Sequence, residues 1–156
     1  MNTLAQVLAV GVSATLLMDG WALLLRRFGI ASLSYCLIGR WLAHMPTGTF
    51  THAHIGKAAP RRHECALGWL AHYATGMAFA ALLLAVDDWF ARPQPGPALL
   101  VGIATVLIPY LLMQPALGLG IAASRAPAPW AARLKSLATH TVFGTGLYLG
   151  GLLVAG

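Results

Sequence analysis

The stretch LAQVLAVGVSATLLMDGWALLL, Leu4–Leu25, decides the fold: it holds one carboxylate, Asp19, and no other charge. A helix rises about 1.5 Å per residue, so about 20 residues cross a hydrocarbon core roughly 30 Å thick, and this run is long enough to do so. Working outward, three further apolar runs have the same length class, Leu67–Val86, Ala98–Ala122 and Leu134–Val154. None alternates strictly, and none shows the strand rhythm of about ten residues that marks an outer-membrane barrel. The expectation is an all-α integral membrane bundle of four transmembrane helices. Residues 1–156 would form one transmembrane domain, with a long loop over about 26–66.

Composition agrees. Of 156 residues, 58% are hydrophobic and 9% charged, where a soluble domain carries about a quarter of its residues as charges. Lipid is the natural solvent for the excess. The first run does not read as a signal peptide: Met1-Asn2-Thr3 has no basic residue, no small-residue cleavage site follows, and Asp19 interrupts the apolar stretch.

Lys and Arg set orientation. Arg26, Arg27, Arg40, Lys57, Arg61 and Arg62 lie between the first two runs, and Arg125, Arg133 and Lys135 lie between or at the edge of the last two. Arg92 alone, beside Asp87 and Asp88, stands on the other side. The two basic connections are therefore expected in the cytoplasm and both termini outside, periplasmic or extracellular. The net charge of +6 then serves topology and anionic lipid head groups, with the bilayer as partner and no nucleic acid. Cys36 and Cys65 fall in the first cytoplasmic loop, where reducing conditions argue against a structural disulfide. With the opposite orientation they would lie outside, where they could pair.

The polar residues inside the runs carry the functional expectations. A carboxylate within a transmembrane helix costs several kcal/mol unless paired or hydrated, which makes Asp19 a candidate site residue. Leu16-Leu17-Met18-Asp19 is echoed by Leu111-Leu112-Met113-Gln114, and His72-x-x-x-Gly76 by His140-x-x-x-Gly144, in the same order. That is consistent with a duplicated two-helix hairpin. Counted from the flanking basic residues, Asp19, His72, Gln114 and His140 all fall in the cytoplasmic half of the bilayer and could form one polar layer. Such a layer suits binding or transport of a small solute, ion or proton, and a buried network that only specifies packing is the competing reading. Pro109 and Pro115 free the carbonyls of Thr105 and Leu111 in the third run. Broken helices often line substrate sites, and Gln114 directly precedes Pro115; a plain proline kink is the simpler outcome.

Other chemistries stay open. His72 and His140, each followed by a glycine one turn on, could hold haem between them. With Asp19 they would suit a divalent metal such as zinc or iron. Glu64 lies about two turns below His72 on nearly the same side of a helix and could relay protons to it; as an exposed acid at a helix N-terminus it would need no function. Gly146-x-x-x-Gly150 permits close helix approach, in a homodimer or inside the chain.

The first loop is not disordered in composition. Leu33, Leu37 and Trp41 recur at helical spacing, and Arg40 with His44 forms a second stripe, so a short interfacial helix over 33–44 is expected, followed by a turn at Met45-Pro46-Thr47-Gly48. His44, His52, His54 and His63 lie in the loop, and Thr51-His52-Ala53-His54 is a weak metal signal. Nucleophile elbow, phosphate loop, dinucleotide fingerprint and zinc-protease signature are all missing, which disfavours familiar soluble-enzyme chemistry.

Gly39-Arg40-Trp41-x-x-His44-Met45, Phe50-x-His52, Glu64-x-x-x-Gly68-Trp69-x-x-His72-Tyr73 and Met113-Gln114-Pro115 resemble an uncharacterised family of small bacterial four-span inner-membrane proteins, known as a domain of unknown function. The resemblance covers nearly the whole chain. It implies a bacterial inner-membrane protein and carries no activity, substrate or cofactor, while drawing attention to His44, His52, Glu64, His72 and Gln114. A structural or assembly role acting through the loop is the remaining alternative.

Overall fold

In a computed structural model that describes residues 1–155, the chain is helical throughout, and no strand occurs among the described residues. In order come α1 (Thr3–Arg27), α2 (Tyr35–His44), α3 (Glu64–Ala81), α4 (Pro95–Ala104), α5 (Gln114–Ala116) and α6 (Pro129–Val154). Four stretches are long and apolar enough to cross a membrane: Thr3–Arg27, Glu64–Ala85, Pro95–Ala116 and Pro129–Val154. Only 28%, 22%, 22% and 33% of their most apolar windows are buried within the protein. Exposed leucines line them, among them Leu16, Leu70, Leu100, Leu111, Leu134 and Leu153. Apolar faces of this extent are what a lipid-facing bundle presents.

The chain divides into two compact units. The first combines Met1–Ser32, Tyr73–Thr105 and Leu137 onward; the second combines Leu33–His72 and Val106–Ser136.

The first unit is held by small residues. A Cβ added at Gly76 would meet the Thr15 hydroxyl, one at Gly102 the Gly144 backbone, and one at Gly146 the Ala14 Cα at 2.7 Å. These contacts pack α1 on α3, α4 on α6 and α6 on α1. Gly150 approaches Ser13 and Val10, so the Gly146-x-x-x-Gly150 pattern serves an internal contact. Around these crossings lies a core of Val7, Val10, Ala14, Leu83, Trp89, Phe143 and Leu147, and Trp89 Nε1 donates to the Gln94 carbonyl at 3.0 Å.

The second unit is built on α2, the start of α3 as far as His72, and the third span from Val106 on. Ser34 caps α2, its hydroxyl accepting from Cys36 N. The helix starts two residues later than the hydrophobic stripe alone suggests, because Ser34 competes for the backbone as a cap. After it, Met45–Thr47 forms a 3-10 turn closed by Gly48 in the left-handed region (φ 79°). The third span is interrupted as its prolines foretell, and more than a kink results. The α-helix stops at Ala104, and Pro109–Met113 winds as a π-helical turn before α5. That span also ends at Ala116, six residues short of the expected Ala122. Gly118 (φ 92°) reverses the chain there, with Leu119 N donating to Gln114 O at 2.9 Å. Its missing Cβ lets the Ala53 carbonyl approach, so no other residue fits this helix end.

The corresponding positions of the suspected repeat fall differently. Asp19 and His140 belong to the first unit, and Gln114 and His72 to the second.

Candidate functional site

The densest polar constellation lies in the second unit. Gly39 and Gly68 allow α2 and α3 to cross at backbone contact: a Cβ on Gly39 would strike the Glu64 carbonyl, and one on Gly68 the Tyr35 carbonyl. That crossing sets Arg40, one residue on, beside Glu64 at the start of α3. Arg40 Nε donates to Glu64 Oε2 at 2.8 Å and Nη2 to Oε1 at 2.7 Å, a two-pronged pair with each side chain 13% exposed. Arg40 Nη1 reaches the Ala58 carbonyl at 3.1 Å, and Arg61 N donates to Glu64 Oε2 at 2.8 Å. Both carboxylate oxygens are therefore engaged. Glu64 is neither the solvent-exposed acid of one sequence reading nor available as a relay to His72. It is a pin fixing the 58–64 segment against α2, and hydrogen bonds of this charged, two-pronged type are the strong ones.

One turn beyond Arg40, buried His44 places Nε2 at 3.0 Å from the Ala59 carbonyl. The Arg61 guanidinium lies against the same ring, its Nε 3.3 Å from Nε2 and its Nη2 3.4 Å from Nδ1. The His52 ring stands edge-on to His44, centroids 5.1 Å apart. The His52 backbone is fixed by a bond from its N–H to Ala116 O at 2.8 Å, reinforced by Ile55 N to Leu117 O at 3.2 Å. Trp41, Ile55, Ala116 and Leu117 form the apolar floor of this unit, and Trp41 Nε1 donates to Phe50 O at 2.8 Å.

Within that frame three polar atoms have no partner. Both ring nitrogens of His52 and Oε1 of Gln114 are shut off from solvent and unpaired. Gln114 itself is 7% exposed. Its residue lies two positions before the Ala116 carbonyl that accepts from His52, so the backbone seam gathers these groups in one region. Burial, and secondarily the charge of His44, hold the His52 imidazole below its usual range, hence neutral. A neutral imidazole offers one donor and one acceptor, and the Gln114 oxygen a second acceptor.

The remaining sequence candidates have the following partners. His72, on α3, stacks on Tyr35 (centroids 4.1 Å, planes 24° apart), with Trp69 edge-on to Tyr35 at 4.6 Å. In the first unit Asp19 accepts from Tyr73 Oη at 2.9 Å. His140 Nδ1 lies 2.8 Å from Thr105 Oγ1, whose one hydrogen goes to Gly102 O at 2.6 Å; Nδ1 of His140 is thus the donor. Tyr73 and Thr105 are partners that the sequence reading missed. Tyr73 directly follows a residue singled out, and Thr105 bears the carbonyl freed by Pro109, but nothing in one sequence pairs either with Asp19 or His140.

The metal and haem expectations gain no support in geometry. Among the described residues no group of three or more His, Cys, Asp or Glu could hold a metal ion. The glycines that were to make room for a haem ring are filled by helix packing, Gly76 by Thr15 and Gly144 by α4. At the cysteines the structure departs from the sequence expectation: Cys36 and Cys65 are joined as a disulfide, their Cα atoms 3.9 Å apart. The α2–α3 crossing that brings Gly39 onto Glu64 also aligns the first turns of the two helices, a proximity invisible across 29 residues of sequence.

Neither a curated protein nor a solved structure matches the chain. The family described as protein of unknown function (DUF2938) matches residues 8–154, so the chain belongs to that family.

Proposed function

We propose that the protein is a polytopic bacterial inner-membrane protein that binds a small polar solute beside His52 and Gln114, with His44 as the neighbouring wall. The observation that carries this reading is the pair of unpaired His52 ring nitrogens together with the Gln114 oxygen, all sealed from solvent. An unmet buried polar group costs about 1–3 kcal/mol, and three in one region are hard to sustain unless something of complementary donors and acceptors occupies them. A neutral solute bearing a hydroxyl, amide or amino group has that complement. The π-helical turn ending immediately before Gln114 supports movement of the solute as well as binding, since such turns recur at functional sites in membrane helices.

The charge pattern supports an orientation with residues 26–66 on the cytoplasmic side and both termini outside. Reporter fusions at each terminus test it, and a cytoplasmic terminus would reverse it.

Binding is tested on the chain released from mild detergent. Native mass spectrometry should find mass beyond the bare chain, or a panel of polyols, amino acids and amides should raise its unfolding temperature. Either signal should vanish in His52→Phe and Gln114→Leu. Those variants should be no less stable than the parent without solute, because each removes a buried unpaired group. Variants that unfold, with no bound mass in the parent and no response to the panel, would assign these residues to packing alone.

A further inference from the structure

The disulfide and the charge pattern make opposite statements about compartment. Cys36 and Cys65 lie among Arg40, Arg61, Arg62 and His63, in the connection that the distribution of basic residues places in the cytoplasm. Disulfides that occur in that compartment are in general transient, catalytic or redox-sensing. Both statements hold together if the bond opens and closes. We propose that Cys36 and Cys65 form a reversible thiol–disulfide site in the second unit, and that its reagent is a low-molecular-weight disulfide of the glutathione class. This rests on the orientation proposed above and is independent of the solute site.

Three observations support it. First, the α2–α3 crossing has other fastenings: the Gly39 and Gly68 backbone contacts and the Arg40–Glu64 pair at 2.7 and 2.8 Å hold the helices together around the sulfurs. The bond can therefore open without the unit coming apart. Secondly, the two cysteines differ in access. Cys65 is exposed and Cys36 half-buried, so one sulfur meets a reagent and the other stands behind it. Thirdly, the charge around Cys65 favours thiolate. Arg61, Arg62 and His63 precede it, both cysteines occupy the second residue of a helix, and the nearby carboxylate of Glu64 is neutralised by Arg40. Cationic neighbours and helix N-termini are the settings that activate cysteine.

The reaction is an exchange. In the reduced protein the Cys65 thiol gives up its proton and its sulfur attacks one sulfur of the reagent RSSR, forming a mixed disulfide and releasing RS⁻, which takes up the proton. Cys36 then loses its own proton, and its sulfur displaces the second RS⁻, again protonated on release. Two thiols become the Cys36–Cys65 bond, RSSR becomes two RSH, and two electrons pass from protein to reagent. The consequence reaches His72. Cys65, Trp69 and His72 follow one another at helical spacing on α3, and Tyr35, next to Cys36, stacks on His72 at 4.1 Å. Opening the bond loosens the Tyr35 end of that stack.

The full chain in mild detergent is equilibrated with mixtures of reduced and oxidised glutathione, blocked with a polymer-linked maleimide, and read as a gel shift. The expected result is a complete shift from two blocked thiols to none across the series, with Trp69 fluorescence following it and the following lost in Trp69→Phe. Intact mass should show one glutathione on Cys36→Ser and little on Cys65→Ser. A bond unchanged from one end of the series to the other overturns the site, whichever way the termini face. A reversible pair in a chain whose termini are cytoplasmic leaves the site standing and overturns the orientation alone.

Discussion

The two units solve helix packing with different materials. In the first, glycines and other small residues bring long helices to backbone contact, and the polar contacts include those of Tyr73 with Asp19 and Thr105 with His140. In the second, one glycine crossing is surrounded by an ion pair, a disulfide, an aromatic stack and a pair of histidines. Small-residue packing needs no directional partner and tolerates a lipid surround. A polar assembly must satisfy each donor and acceptor, and this one leaves His52 and Gln114 unmet, which is the ground of the proposed solute site.

The harshest way to break the comparison is to fill a crossing in each unit. Gly39→Val puts side-chain atoms into the Glu64 carbonyl, and Gly102→Val into the Gly144 backbone. Backbone cannot step aside, so each should cost about 3 kcal/mol or more, the upper end of overpacking. The Cys36–Cys65 bond separates them. Gly39→Val should lose it, and Gly102→Val, acting in the other unit, should keep it while thermal unfolding in detergent shifts down. If both lose the bond, the units do not fold as separately as their packing indicates.

Next in size is the Arg40–Glu64 pair. Arg40→Met strands a carboxylate that is 13% exposed, which should cost about 2–3 kcal/mol, between the surface and buried extremes. The double variant R40M/E64L should recover most of that loss, because no unpaired charge remains. Equal instability of the single and double variants in denaturant titrations would show that the pair's geometry, rather than its charge balance, holds the 58–64 segment.

How far the sequence reached follows the same division. The four apolar runs, the helix near 33–44 and the break at Pro109 are written in local pattern, and each appears. The polar contacts are not local. Arg40 and Glu64 are 24 residues apart, and Asp19 and Tyr73 are 54 apart; their meeting depends on which helices pack, which hydrophobic periodicity leaves undetermined. The stripe of Arg40 and His44 was visible, but its partners at Ala58, Ala59 and Arg61 were not. The end of the third span was misplaced because Leu117–Ala122 is apolar enough to continue a helix, and the left-handed Gly118 that stops it is recognisable only with Ala53 in contact.

A smaller effect separates the units by acidity. His52 is held below its ordinary value of about 6.5 in the folded protein. The unfolded chain then takes up a proton there that the folded chain refuses. Stability should be level above about pH 6.5 and fall as pH drops from there through the lowered folded value, by no more than about 1.4 kcal/mol per pH unit from this site. In His52→Phe that slope should flatten. An unchanged slope in equilibrium unfolding between pH 7 and 5 would trace the acid sensitivity to other groups.

The smallest effect is expected for the pair buried among the long helices. Thr105 Oγ1 accepts from His140 Nδ1 and donates to Gly102 O, so Thr105→Val removes both bonds at nearly constant shape. In water such a loss would be felt in full. Within lipid, an unfolded helix keeps its backbone bonds and its histidine finds other partners, so measured couplings of this kind average about 0.6 kcal/mol and reach about 1.7. A double-mutant cycle of Thr105→Val and His140→Phe should give a value in that range, well below the Arg40–Glu64 coupling from the corresponding cycle. Thr105→Ser, which keeps the hydroxyl, should retain the coupling. A value as large as that of the ion pair would mean that His140 is anchored for a task beyond packing, and the functional search would then move from His52 to the first unit.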